Sequence, residues 1–242
     1  MSPASSQLIG TILTFKKQVP EQPGVISFHF QPAPSFHWKA GQYFVYLMPG
    51  AAFDFLLPFF RPFTISTAPH EGYLRITTRI LEKPSVFKRQ LLKLKPGAKV
   101  LGGGPYGFFT LTDTTKEYVF LAGGIGITAF RSILTDLAHR GTLPKITLLY
   151  SNRDNNILFQ KELDALTKQY PTFAIHYLTD PERIEPATIK KYIPNPTAPT
   201  YYISGPKPMV LGMSKQLQTE LGIPKTQIKH DAFDGYPWPL TK

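Results

Sequence analysis

The chain changes rhythm at Asp113. Before it, short runs rich in β-branched and aromatic residues (LIGTILTF, GVISFHF, GQYFVYLM, PFTIST, YLRITTRI) are divided by Pro, Gly and polar clusters. That punctuation belongs to a small antiparallel β-barrel or sandwich. One helix interrupts it: SVFKRQLLKL opens at Ser85, a side chain suited to an N-cap, and stops at Pro96-Gly97. After Asp113 the runs EYVFLA, KITLLY, FAIHYL and TYYIS alternate with ITAFRSILTDLAHR, LFQKELDALTKQY and MVLGMSKQLQTEL. Strands alternating with helices of this length specify a parallel sheet with right-handed crossovers. The expectation is therefore two domains, an antiparallel β-barrel with one helix over residues 1–113 and an α/β domain with a parallel sheet over 114–242, joined at TDTTK. Each half is long enough to bury its own core.

Composition removes several functions. The chain has no cysteine, which excludes disulfides, thiolate nucleophiles, cysteine zinc sites and cysteine-held iron-sulfur clusters within it. Its six histidines are scattered, with no i, i+4 pair and no HExxH frame, so no metal site is expected. No apolar run approaches the ~18 residues that would span a bilayer, and the N-terminus lacks a basic start followed by an apolar block; a cytoplasmic protein is expected. Net charge is +11, with 12 Lys/Arg against 5 Asp/Glu in residues 1–113 and 15 against 11 in the remainder. Lys83, Lys88, Arg89, Lys93, Lys95 and Lys99 are opposed locally only by Glu82. They form either a solvated face or a steering field for an anionic partner.

LAGGIGITAF, residues 121–130, follows a strand and opens a helix. Gly124, Gly126 and Ala129 fit the G-x-G-x-x-G/A form in which small residues permit a tight turn and close approach of a pyrophosphate to a helix N-terminus. A ligand-free turn is the alternative, and the strand-turn-helix context favours the nucleotide. Such folds usually place an acid about 20 residues on, against the ribose. Here KITLLY ends in SNRDNN, with Ser151 and Arg153 in that region; this favours NADPH over NADH, while Asp154 weighs the other way. In YYISGPKPMV, Ser204 and Gly205 end a strand and Pro206 starts a helix, where an open α/β sheet makes ligand contacts.

Five motifs then fall in the order of the ferredoxin-NADP reductase superfamily. RPFTIST (Arg61 to Thr67) resembles its R-x-[Y/F]-[S/T] flavin motif and GPYGFF (Gly104 to Phe109) its G-P-x-G-x-F segment. GGIGIT (Gly123 to Thr128) resembles its nicotinamide-nucleotide loop, SGPKPM (Ser204 to Met209) its C-G-P-x-x-M segment, and FDGY (Phe233 to Tyr236) the ending of many small members. The resemblance covers nearly the whole chain. It implies a flavin-binding β-barrel followed by an NAD(P)-binding domain, with FAD, or FMN as the alternative, and NADPH or NADH as hydride donor. Carried over, Arg61 neutralises the flavin pyrophosphate, Phe63 stacks on the isoalloxazine and the Thr64 hydroxyl bonds near flavin N5. Arg suits phosphate by its planar fork, and an aromatic ring covers the flavin face. Ser85 and Val86 match a phosphate-binding helix start; Thr77, Thr78 and Arg79 line the flavin. Gly123, Gly124, Gly126, Thr128, Gly205, Pro206 and Met209 belong to the nucleotide loops. Ser204 replaces the common Cys near the nicotinamide, Phe63 a common Tyr, and Ala129 a common Pro. Asp231 stands where a carboxylate is found near the flavin, with a surface charge as the other reading. Phe233 and Tyr236 cover the flavin's other face or pack as ordinary aromatics.

The function so implied is an NAD(P)H-dependent flavoprotein reductase that passes a hydride to flavin and single electrons onward. No general base is needed for hydride transfer, in keeping with the lack of a Ser-His-Asp or paired-carboxylate constellation. The basic first half favours an acidic carrier such as ferredoxin or flavodoxin. The apolar FDFLLPFF, Phe53 to Phe60, is read either as a loop folded on the barrel or as a partner or membrane-surface contact. Two competing readings are a regulatory flavin/nucleotide-binding module without turnover and a basic nucleic-acid-binding barrel; no nucleic acid is expected under the main one.

Overall fold

The computed structural model describes residues 10–48 and 60–233. Its chain divides into two compact units, Met1–Thr110 and Leu111–Lys242.

The first unit is a six-stranded antiparallel sheet built from β1 (Thr11–Gln22), β2 (Val25–Gln31), β3 (Tyr43–Leu47), β4 (Phe60–Thr64), β5 (Leu74–Arg79) and β6 (Lys99–Tyr106), in the order β4-β3-β6-β1-β2-β5. Just past β4, the Ser66 N–H donates to the Arg75 carbonyl of β5 at 3.0 Å, so the two ends of the row meet and the sheet curls on itself. Period-2 alternation sends Leu13, Phe15, Phe28, Phe30, Phe44, Tyr46, Leu74, Ile76 and Val100 into one core. Helix α1 (Val86–Leu92) closes it with Phe87 and Leu91, and Ser85 caps the helix by accepting the Lys88 N–H at 3.3 Å. Each fully buried Phe contributes about 2 kcal/mol of transfer free energy.

Two features depart from the sequence pattern. β1 runs on through Pro20 with irregular register at Phe15/Lys17 and Pro20/Gln22. Proline is tolerated there because β6 pairs with β1 only over Thr11–Thr14, leaving the rest of β1 bonded on one side. β6 forms although Gly102, Gly103 and Gly104 sit inside it. A Cβ on Gly102 would lie 2.2 Å from both Phe44 Cε1 and Val45 O, so the glycine lets the strand approach the Phe44 ring.

The second unit is a five-stranded parallel sheet of β7 (Tyr118–Gly123), β8 (Ile146–Asn152), β9 (Phe173–Thr179), β10 (Thr200–Pro206) and β11 (Ile228–Phe233), ordered β11-β10-β7-β8-β9. The helices are α2 (Ile127–His139), α3 (Gln160–Gln169), α4 (Pro186–Tyr192) and α5 (Lys207–Leu221). β7 is buried along its whole length, as a central parallel strand must be. α2 buries Ile127, Phe130, Ile133, Leu134 and Leu137 at helical spacing, and its Phe130 stacks on Phe120 with centroids 4.6 Å apart. α5 buries Val210, Met213, Leu217 and Leu221 and ends at Gly222, whose φ of 66° completes a left-handed C-cap. The short α4, absent from the sequence expectation, starts on Pro186 at its first turn and lacks a side-chain cap.

Candidate functional site

Parallel register collects the sequence-selected residues of the second unit along one edge of the sheet. Ser204 pairs with Ala122 on one side and with Asp231 on the other; Gly123 pairs with Ser151, Gly205 with Ala232 and Pro206 with Phe233. All lie at carboxyl ends of strands, the edge where open α/β sheets bind ligands. Tyr236 lies outside the described residues, as does FDFLLPFF up to its last residue, Phe60.

The glycines of GGIG divide their work. Gly124–Gly126 form a 3-10 turn leading directly into α2. A Cβ on Gly126 would sit 2.2 Å from Ser204 O and 2.8 Å from Gly205 N, and one on Gly123 would sit 2.1 Å from Met209 Sδ. These two glycines therefore let the loops after β7 and β10 touch. Gly124 differs: its φ is +52° and a Cβ there would meet nothing within 4 Å. It makes the turn, and open space lies over it. Thr128 turns its hydroxyl back to the Ile125 carbonyl at 2.9 Å, which stiffens the turn.

At the end of β8, Ser151 is partly buried and Arg153 exposed. Asp154 is occupied by its own loop, its Oδ1 accepting the Asn156 N–H at 2.9 Å. Between them is a residue that sequence reasoning passed over. The Asn152 Nδ2 is buried and has no hydrogen-bond partner among the described residues, a costly state that a ligand acceptor would relieve. The only sequence signal was its position, the last residue of a strand in this sheet edge.

Ser204 is fully buried and donates its hydroxyl to Asp231 Oδ2 at 2.9 Å. Burial raises the Asp231 pKa above the ordinary carboxylate value, and the Ser204 hydrogen bond works against that rise. Asp231 is thus no free surface charge. The hydrogen bond ties the ends of β10 and β11 together.

In the first unit, alternation along β4 places Arg61 and Phe63 on one face and Thr64 on the other. Arg61 pairs in register with Tyr46, whose buried hydroxyl has no hydrogen-bond partner among the described residues. The Arg61 Nη1 donates to the Phe60 carbonyl at 2.6 Å. Phe63 is partly buried, 5.4 Å from Phe87 and 6.1 Å from Tyr46 between ring centroids. Thr64 pairs with Tyr43, which stands 5.8 Å from Tyr106.

Thr77 and Thr78 are both buried. The Thr77 hydroxyl is engaged with Ser27 at 2.7 Å and Ser66 at 3.0 Å, inside a network that also takes the Arg75 Nε at 3.1 Å from Ser66. Beside Ser85, Lys88 donates its ammonium to the Arg79 carbonyl at 2.6 Å. Burial, and then the Arg79 charge, lower the Lys88 pKa. The Arg79 charge and the Lys88 ammonium repel each other, which an anion beside them would relieve; the sequence showed Lys88 only as one of a basic cluster. Among the described residues no group of three or more His, Asp or Glu is placed to hold a metal ion.

Residues 120–215 match the family described as Oxidoreductase NAD-binding domain. The chain is 30% identical over 204 residues to a Na(+)-translocating NADH-quinone reductase subunit of Methylococcus capsulatus, covering 74% of this chain and 50% of that one. It is 32% identical over 177 residues to NADH-cytochrome b5 reductase 1 of Meyerozyma guilliermondii, covering 67% and 62%. In structure it resembles ferredoxin-NADP+ reductase from Plasmodium falciparum with a TM-score of 0.79 and 18% identity, over 92% of this chain and 95% of that one. The chain spans about half the length of the first of these relatives.

Proposed function

The chain belongs to the ferredoxin-NADP reductase superfamily, and on that premise we propose that it is an NAD(P)H-dependent flavoprotein reductase serving a one-electron acceptor. The observation that carries this reading is the turn at Gly124, open above and leading into α2, with the Asn152 amide, which has no hydrogen-bond partner among the described residues, on the neighbouring strand of the same edge. Backbone amides at the start of α2 suit a pyrophosphate. Asn152 is a donor for the adenosine half. Arg153, exposed while Asp154 is engaged in its own turn, favours a 2′-phosphate; the two sequence relatives are named for NADH.

For FAD, the fit rests on cations and on the buried Tyr46 hydroxyl, which has no hydrogen-bond partner among the described residues. Arg61 is the pyrophosphate partner, Phe63 the ring that covers the isoalloxazine, and Thr64 the hydroxyl near flavin N5. Arg79, Lys88, Ser85 and Val86 supply a second anionic contact. When bound, FAD and the reduced nicotinamide supply the hydride chemistry and the passage from electron pairs to single electrons. The Ser204–Asp231 pair positions the nicotinamide end, with the Asp231 carboxyl accepting the Ser204 hydroxyl. The residues orient and exclude water, which is the protein's share of such a reaction.

The charge of residues 1–113, 12 basic against 5 acidic, supports an acidic carrier such as ferredoxin or flavodoxin as acceptor. The test is absorbance of the purified protein incubated with FAD or FMN, then titrated anaerobically with NADH and NADPH in separate runs. The reading expects a stoichiometric yellow chromophore that bleaches, preferentially with NADPH. A protein that takes up neither flavin sinks it; a flavoprotein that neither nucleotide bleaches selects the regulatory module.

A further inference from the structure

An antiparallel strand facing water normally turns polar residues outward. Four strands of the first unit break that rule in one line. Ile12 of β1 pairs with Leu101 of β6, Leu101 with Leu47 of β3, and Leu47 with Phe60 of β4. Direct cross-strand partners project from the same face of a sheet, and Leu13, Val100 and Tyr46, the chain neighbours of three of them, fill the core. The row therefore lies on the outer face. Ile12 is 54% exposed and Leu101 43%. The next register positions, Val45 with Gly103 and with Pro62, add no hydrogen-bonding side chain.

Charge gathers at one end of this face. Lys99 stands next to Leu101 on the same side of β6 and reaches across to the neutral Thr14 Oγ1 at 2.7 Å, with no carboxylate among the described residues paired to it. The turn before β6 is tied to β1 by Gly97 N–H to Phe15 O and Phe15 N–H to Ala98 O, both 2.8 Å. Exposed Lys95 lies two residues before Gly97 at this tie, and exposed Lys16 and Lys17 follow Phe15 on the β1 side of it. Glu21 is the single carboxylate in the four strands, and it lies farther along β1, facing Arg75 at 3.9 Å.

We propose that this outer face of β1, β6, β3 and β4 docks on the surface of an anionic lipid bilayer, the apolar row entering the headgroup boundary and the lysines meeting lipid phosphates. The division of labour is that of interfacial binding, apolar area for insertion and lysines for attraction to anionic lipid. A second copy of the chain fits less well, because the described residues of the face offer no acid to receive the lysines. A folded protein partner would find no directional hydrogen-bonding group in the two apolar rows to set its register.

The test is co-sedimentation of the full chain with vesicles of phosphatidylcholine alone and of phosphatidylcholine with phosphatidylglycerol, at low and high salt. Binding to the anionic vesicles is expected, reduced by salt, and lowered about tenfold in the double variant Ile12→Thr/Leu101→Thr and again in Lys99→Glu. Thermal melting of each variant, and NAD(P)H turnover with ferricyanide, are expected to match the wild type, since none of the three side chains lies in a core or a cofactor contact. Absence of binding to either vesicle overturns the proposal. So does binding that the variants leave unchanged. Sedimentation showing a dimer that Ile12→Thr/Leu101→Thr dissolves would reassign the face to a second copy, and salt-sensitive capture of an acidic carrier lost in the same variant would reassign it to a protein. Failure here leaves the flavin reading untouched, because that is read by bleaching.

Discussion

The two units arrange their candidate ligand-binding residues by opposite means. In the parallel sheet the site is made of backbone: register lines up Asp231, Ser204, Ala122 and, one step on, Gly123 with Ser151, and missing Cβ atoms let two loops touch. In the antiparallel unit it is made of side chains, with Arg61 and Phe63 on one face of a strand and Arg79 with Lys88 near a helix start. A backbone site tolerates many side chains and no added atom at the contact. A side-chain site tolerates neighbours and not the loss of its own groups.

The largest effect is expected where an added atom has nowhere to go. In Gly126→Val the new Cβ falls on the Ser204 carbonyl, 2.2 Å away, and backbone cannot swing aside. Unfolding of the second unit should lose about 3 kcal/mol, read by urea denaturation, while flavin uptake by folded protein persists. Equal destabilisation from Gly124→Ala, whose Cβ meets nothing, would refute the division of roles among the glycines.

Arg61→Ala comes next. Losing a charge-assisted phosphate contact should weaken FAD binding by about 100-fold, with Arg61→Lys between it and the wild type, both read by equilibrium dialysis. Unfolding of the second unit should not change. Asn152→Leu is smaller and more diagnostic. Removing a buried donor that has no partner among the described residues should leave stability within about 0.5 kcal/mol, yet weaken nucleotide binding roughly five- to tenfold. Reduced stability with unaltered nucleotide affinity would show that the amide serves the fold.

The smallest effect is one of pH. Burial raises the Asp231 pKa in the folded state. An acid so shifted binds its proton more readily folded than unfolded, so its contribution to stability declines as pH rises from the ordinary carboxylate value through the raised one. Asp231→Asn should leave stability unchanged below that window and increase it above, seen as a flatter stability profile on the alkaline side of the ordinary carboxylate value. A steeper profile in the variant would mean that the carboxylate is stabilised as an anion.

The same contrast explains what could be read from the sequence. Buried parallel strands are near-continuous apolar runs and the helices that cover them repeat at helical spacing, so β7, β8, β10, α2 and α5 stood out. β6 did not, because Gly102 to Gly104 lower strand propensity for a reason, the Phe44 ring, that lies about sixty residues away in the chain. Pro20 hid the second half of β1, whose tolerance of proline depends on where β6 stops pairing. At the site, the motif glycines were visible but their separate tasks were not: Gly126 and Gly123 are fixed by Ser204 and Met209, contacts between distant loops. Asn152 carried no motif, and Lys88 was one lysine among several until the fold set it against Arg79.

The central claim, that the turn at Gly124 delivers a nucleotide to a flavin held by other residues, is tested most directly by one variant. Asn accepts a φ of +52°, so Gly124→Asn keeps the fold and fills the open space over the turn. Anaerobic stopped-flow reduction of the FAD-loaded variant by NADPH below saturation should show normal flavin content and bleaching slowed at least about tenfold. Bleaching at the wild-type rate would contradict the account.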